Sequence, residues 1–331
     1  MSREAPAPWI AAQTTALLAQ RGHAWLLAGP SGLGQYNLAL ALVGAWLCDQ
    51  PSRQGACCNC GSCHAIDVRT HADLCVLMPE TVMLELGWPL SEKAQSEVDE
   101  KKRKASKEIR IEAMRDAVEF SQRTSARGRG KAVLIYPAER MNTVTANALL
   151  KTLEEPPGDA RFVLASEAAY QLLPTIRSRC LGHSMRWPSQ DASLQWLQAQ
   201  GLAAAPARVM LRAAGGRPED ALLMSRSTQQ GAQTWVTLPK AMARGDVSVL
   251  KDWSPAQTVS ALHKLCHDVL AVKAGAEPRF FEAVDLPSGG SIATLTAWAR
   301  SLASATRTVE HPFNAGLMLE ALVSQAQKAL N

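Results

Sequence analysis

A short apolar run at residues 24–28 (Ala-Trp-Leu-Leu-Ala) stops at a glycine-rich turn, Gly29-Pro30-Ser31-Gly32-Leu33-Gly34, and an Ala/Leu-rich stretch at 35–47 follows at once. Strand, glycine turn and helix, in that order, constrain the fold more than any other feature of the chain. A strand that is apolar on both faces must be covered on both, and a helix following it supplies the cover typical of a parallel sheet. The pattern recurs. Residues 74–78 form an apolar run ended by Pro79, 132–136 is the strongest strand and is again followed by proline, and 161–165 is a further strand. A helix is expected over 143–155, stopped by Pro156-Pro157.

After Trp187-Pro188 the strand signal disappears. The remainder is Ala/Leu/Gln-rich and reads as helical, with apolar stretches at 259–272, 292–302 and 313–330 and a weak internal boundary in the polar stretch 225–231. A length of 331 residues suggests two or three domains. With 47% apolar and 20% charged residues, wholesale disorder is excluded. No apolar run reaches the roughly 18–20 residues of a membrane span. Residues 1–9 lack a basic segment leading into an apolar one, so a cytoplasmic chain with no membrane partner is expected. The net charge of +5 is too small to decide for or against nucleic acid.

The turn from Gly29 to Tyr36 has the context of a phosphate-binding loop, GxxxxGK[ST], whose backbone N–H groups curl round a phosphate at a helix N-terminus. Two working residues are replaced. Gln35 stands where a lysine would neutralise the phosphates, and Tyr36 stands where a small hydroxyl would hold Mg²⁺. The acidic pair that such sites carry after a later strand is also missing: Tyr136 and Pro137 stand there, and Glu139, further on, reads as a surface residue. ATP hydrolysis by this loop is therefore not expected.

Cys48 and the run Cys57-x-x-Cys60-x-x-Cys63 lie in a polar Gly/Asn/Ser-rich stretch, with Cys58 as an extra thiol. Four thiolates at this spacing can close a tetrahedral zinc site with no open position, which is a structural and not a catalytic arrangement. An iron–sulfur cluster is the alternative for any four-cysteine set. Cys75, Cys180 and Cys266 read as buried thiols. Between Thr81 and Arg110 the chain is highly charged, and 99–110 alone holds six Lys/Arg and three Asp/Glu. That run reads first as a solvated face and second as a phosphate contact.

Two further segments carry a resemblance. Asn147-Ala148-Leu149-Leu150-Lys151-Thr152-Leu153-Glu154-Glu155-Pro156-Pro157 resembles the signature helix of bacterial clamp-loader subunits. Ser178-Arg179-Cys180, after Pro174-Thr175-Ile176-Arg177, is similar to the same family's SRC motif, and the clustered cysteines follow the first helix as they do there. The degenerate glycine loop (Gly29, Gly32, Gly34, Gln35, Tyr36) separates this chain from the ATP-hydrolysing tau/gamma type and makes it resemble the delta-prime type of the DNA polymerase III clamp loader.

The resemblance implies an α/β fold of three parts: an AAA+ core with an inserted zinc module at 1–184, a small helical lid at 185–232, and an all-α collar for oligomerisation at 233–331. It implies a non-ATPase, stator-like subunit of a heteropentamer, with tau/gamma and delta subunits, the sliding clamp and primed DNA as partners. Arg179 would serve a neighbour's ATP site in trans, with Arg177 as the less favoured choice. In Gly216-Arg217-Pro218-Glu219-Asp220-Ala221, Glu219 stands where such lids offer an arginine to their own nucleotide. The rival readings are an active AAA+ ATPase with an atypical loop and a zinc-containing DNA-binding module. The second is weakened because Arg53 is the sole Lys/Arg between Cys48 and Cys63.

Overall fold

The computed structural model describes residues 6–227, 231–309 and 314–331. Residues 228–230 of the weak boundary and Phe313 of the last apolar stretch lie outside the described residues. The chain forms two compact units, Met1–Pro188 and Ser189–Asn331.

The first unit opens with helix α1 (Pro8–Leu18), strand β1 (Ala24–Ala28), α2 (Gln35–Leu47) and α3 (Gly61–Asp67). It continues through β2 (Leu74–Leu77), α4 (Glu80–Glu85), α5 (Glu92–Asp99), α6 (Ile111–Gln122), β3 (Lys131–Ile135) and α7 (Thr143–Glu154), and ends with β4 (Ala160–Ser166), α8 (Pro174–Arg177) and β5 (Leu181–Ser184). The strands form one parallel sheet in the order β2-β3-β4-β1-β5. The three central strands are almost wholly buried, with Leu27, Val133, Leu134, Phe162 and Leu164 at zero exposure. This is the both-faces-apolar character that the runs predict.

Strand β5 departs from the expectation. Its sequence, Leu-Gly-His-Ser, is largely exposed on the sheet edge beside β1. An edge strand buries little, so no apolar run announces it. Strand β3 begins one residue early, at Lys131, because the ammonium is buried against Asp73 at 3.0 Å.

The charged stretch is folded around an acidic anchor. Glu80, only 8% exposed, takes both guanidinium nitrogens of Arg103 (2.5 and 2.8 Å) and the N–H of Ser106 (2.8 Å). Arg103 also donates to Glu97 at 2.7 Å, and Lys102 pairs with Glu100.

The second unit is helical: α9 (Gln190–Ala199), α10 (Ala204–Ala213), α11 (Pro218–Ser227), α12 (Gly231–Arg244), α13 (Pro255–Lys273), α14 (Ile292–Thr308) and α15 (Ala315–Leu330). One apolar cluster runs from Leu197 to Leu330 and includes Trp235, Leu262, Leu265 and Trp298. Helix α13 starts with a capping box in which Ser254 and Gln257 satisfy each other's backbone N–H groups. The buried Asp268 carboxylate accepts three N–H groups, from Arg279, Phe280 and Phe281, and so fixes the connection after α13.

Candidate functional site

The glycine turn joins β1 to α2 as the sequence requires. Gly34 caps α2 with φ 90° and Gly32 has φ 77°, a region of backbone space that costs glycine nothing and other residues much. Leu33 is fully buried, and its carbonyl accepts from the Trp9 indole at 3.0 Å. The turn thus has left-handed glycines directly ahead of a helix, as a phosphate loop would require.

The Gln35 side chain is bonded back onto this turn. Gln35 is 2% exposed, and its amide nitrogen donates to the carbonyls of Gly29 (2.6 Å) and Pro30 (2.7 Å). A neutral amide tied to two loop carbonyls offers no charge to a phosphate. The Tyr36 ring lies 5.5 Å from that of Tyr136, and its hydroxyl accepts from the Trp88 indole at 2.8 Å. The Arg69 guanidinium sits 4.6 Å over the Trp88 ring. The Tyr136 hydroxyl in turn donates to Glu167 at 2.7 Å. The Tyr36 and Tyr136 rings thus stand side by side at the start of α2 and just after β3.

Glu139, expected on the surface, is half-buried. Its carboxylate accepts from the Ser166 hydroxyl at 2.8 Å and the Glu167 N–H at 3.1 Å, which ties the segment after β3 to the end of β4. Trp88, Arg69 and Glu167 carry no sequence signal of this role, because they reach the loop from distant parts of the chain.

At the other end of α2 the four expected cysteines converge. Their sulfurs lie within 4.8 Å of one another, and the measured separations are 3.5 Å (Cys60–Cys63), 3.7 Å (Cys48–Cys63), 3.8 Å (Cys48–Cys60) and 4.0 Å (Cys57–Cys63). A tetrahedral ion with metal–sulfur bonds of about 2.3 Å requires edges of about 3.8 Å, so the set can hold one metal ion. Backbone N–H groups point at the sulfurs, from Gln50 and Cys57 onto Cys48 and from Cys63 onto Cys60, at 3.3–3.4 Å. Such bonds support thiolate charge. The Asn59 N–H is the chief cause that brings the Cys57 thiol down to about 6, whereas burial pushes Cys48 and Cys63 up. Cys58 is exposed, with φ 60°, and stands apart from the cluster.

Of the three remaining thiols only Cys266 is buried; Cys75 and Cys180 are half-buried beside less complete cover. Desolvation still pushes Cys75 and Cys180 to about 12 and Cys266 to about 11, so none is a ready nucleophile.

The module is braced by residues that sequence reading passed over. Asp49 accepts from the Ser62 hydroxyl at 2.6 Å, and Arg127 donates to that hydroxyl at 3.3 Å. Asp73, fully buried, accepts from Ser125, from the N–H groups of Ala126 and Arg127, and from Lys131. Burial would raise its pKa, but these donors outweigh burial and hold it at about 2.

Arg179 follows α8 and is partly exposed. Its guanidinium donates twice to Glu154, at the end of α7, and to the Thr175 carbonyl at 2.9 Å. The two resembling motifs are thereby in direct contact. Arg177, at the end of α8, is exposed. In the helical unit Arg217 is paired with Asp220 at 3.0 Å.

Comparison with known proteins agrees with this arrangement. The family model described as DNA polymerase III, delta subunit, matches residues 11–187. The delta' subunit of Pseudomonas aeruginosa is 39% identical over 216 residues, covering 64% of this chain and 58% of that protein. The delta' subunit of Escherichia coli is 31% identical over 242 residues, covering 71% and 65% respectively. The matches thus span about 58–65% of the length of these two relatives. The tau subunit of Escherichia coli is 31% identical over 159 residues, 48% of this chain. A crystal structure of a DNA polymerase III gamma-subunit-related protein from Thermotoga maritima shares the fold, with a TM-score of 0.54 at 17% identity, over 97% of this chain and 99% of that one. Among the described residues no helix is long and apolar enough to cross a membrane. With a family model matched over more than half its length, the chain belongs to the DNA polymerase III delta-subunit family, as a delta'-like member of the clamp-loader subunits.

Proposed function

We propose that this chain is a non-hydrolysing, stator-like subunit of the replicative clamp loader. It holds the shape of the assembly while neighbouring subunits bind and hydrolyse ATP. The observation that carries this reading is the Gln35 amide bonded into the glycine loop, next to Tyr36, whose ring and hydroxyl contact Tyr136 and Trp88. A nucleotide phosphate entering the loop would have to displace the amide and would meet no lysine in exchange. The same observation disfavours an active ATPase.

In this reading the chain's contribution to turnover is made in trans by Arg179. A guanidinium presented to a neighbour's γ-phosphate stabilises charge developing there. In the chain by itself Arg179 is paired with Glu154, so a phosphate would replace a carboxylate and not fill a vacuum. The four cysteines hold one structural Zn²⁺, which closes the 48–63 loop and takes no part in chemistry. Residues 1–184 form the AAA+ core, 185–232 the lid and 233–331 the collar. The partners are the tau/gamma and delta subunits, the sliding clamp and the phosphates of primed DNA, in the cytoplasm.

The test is ATP turnover by tau/gamma and delta subunits reconstituted with this chain or its Arg179→Ala variant, with clamp and primed DNA present. An intact variant complex is expected to lose turnover. In GTPases such arginines are worth about 10³–10⁵ in rate. Arg177→Ala is expected to leave turnover near wild type. Unchanged turnover in an intact Arg179→Ala complex would remove the trans arginine from the proposal.

A further inference from the structure

A cleft of about 560 Å³ lies at the edge of the first unit away from the glycine loop, between the start of β1 and the end of α2. That volume falls within the roughly 300–1,000 Å³ of ordinary binding sites. Four arginines line it, Arg21, Arg53, Arg129 and Arg161, together with Trp25 and Trp46. None of its described lining residues is acidic, and none of the four arginines is in an ion pair among the described residues. Arg161 lies 5.8 Å from the Trp46 ring centroid. The contrast with the charged stretch is sharp, since there Arg103 is fully engaged by Glu80 and Glu97.

Four like charges converging on one concave surface repel one another unless an anion joins them, and concavity focuses their field on whatever enters. The guanidinium fork matches phosphate oxygens in geometry. The charged groups of the cleft are all donors, which suits a ligand rich in acceptors and poor in donors. A peptide brings one N–H per residue and suits it less. A half-buried tryptophan among arginines is the combination that holds single strands: phosphates on the cations, a base on the ring.

We propose that this cleft binds single-stranded DNA, with Arg21, Arg53, Arg129 and Arg161 on the phosphates and Trp46 as a stacking platform. The chemistry stands on the cleft alone; the choice of DNA as the source of phosphates rests on the clamp-loader reading. The cleft has no part in the glycine loop or in Arg179.

The experiment is fluorescence anisotropy of a labelled oligo-dT strand titrated with the full chain across a salt series. Wild type, Arg53→Ala/Arg129→Ala and Trp46→Leu are compared, with Lys101→Ala/Lys102→Ala as a control for non-specific charge. The two arginines are exposed, and bound metal and melting temperature confirm that each variant is folded. Two lost phosphate contacts should lower the log–log salt slope by about 1.4. Trp46→Leu should weaken binding about 5- to 160-fold without moving the slope. The lysine control should match wild type. Equal affinity and slope in wild type and the double arginine variant would overturn the proposal. So would displacement of the DNA by an oligo-glutamate peptide at equal charge concentration, which would assign the cleft to acidic protein segments. Loss of turnover with Arg179→Ala alongside a null result here would leave the clamp-loader reading intact and remove the cleft. The reverse pair of results would keep the cleft and remove the trans arginine.

Discussion

The two ends of α2 carry two sites that residue spacing alone picks out, and they differ in what the spacing delivers. At the N-terminal end the glycine turn has Gly32 and Gly34 at positive φ, but Gln35 is bonded into it and the next residue, Tyr36, is tied to Trp88. At the C-terminal end Cys48 and its three partners bring their sulfurs to separations that a single tetrahedral ion requires. A spacing motif built on glycines specifies a path of the chain. A spacing motif built on ligand atoms specifies the chemistry itself. The first fixes a backbone shape whether or not a ligand binds, whereas the second sets sulfur positions that one ion can use.

The largest effect expected from this difference follows removal of the metal. Structural zinc in small modules carries about 10–16 kcal/mol of apparent binding free energy at neutral pH. Chelation, or Cys60→Ala/Cys63→Ala, should therefore open residues 48–63 while the sheet persists. Metal analysis should give one ion per chain before chelation. Limited proteolysis should show new cleavage confined to that loop afterwards. An unchanged digest would reduce the cysteine cluster to the same status as the glycine turn.

A smaller loss is expected at the other end of the helix. Gln35→Ala leaves the Gly29 and Pro30 carbonyls without their donor, at a cost of about 1–3 kcal/mol, read as a lower urea midpoint. The variant should not gain nucleotide, because it restores no lysine to the loop. A Gln35→Ala chain that bound ATP would show the amide to be a removable stopper and would erase the contrast.

An effect of similar size is a pH dependence that belongs to the bracing of the cysteine module and not to the loop. The Asp73 carboxyl is held at about 2, below its ordinary value near 3.9. A depressed carboxyl contributes stability that is present above its unfolded pKa and lost as pH falls through the folded one. About 2 kcal/mol should therefore disappear between roughly pH 5 and pH 2. Asp73→Asn should flatten that part of the curve, although it will lower stability at neutral pH by unpairing Lys131. A variant with the wild-type pH profile would place the titrating group elsewhere.

Much of the first unit is legible in the sequence because its central strands are buried on both faces. Strand β1 and helix α2 fall at the residues expected, between a continuous apolar run and a left-handed Gly34. The misses have physical reasons. Strand β5 is exposed at an edge and contains a glycine, so it carries no burial signal. Lys131 looks like a residue outside a strand until its hidden partner Asp73 is known. Glu139 looks like surface until Ser166 and the Glu167 N–H are seen on its carboxylate.

The candidate sites divide in the same way. Glycines and cysteines that act through local spacing can be read directly. Trp88 on Tyr36 spans 52 positions in the chain, and Asp73 with Ala126 spans 53, so only the fold brings them together. The cleft collects its arginines from positions 21 to 161 and has no local signature at all.

In the proposed reading the glycine loop keeps its shape without its chemistry. Titrating Mg·ATP into the isolated full chain by calorimetry, with phosphate release followed in parallel, decides this. The expected result is no saturable binding up to roughly 1 mM, the upper end of ordinary enzyme KM values, and no turnover. Saturable binding at micromolar ATP with release of phosphate would contradict it and make the chain an ATPase in its own right.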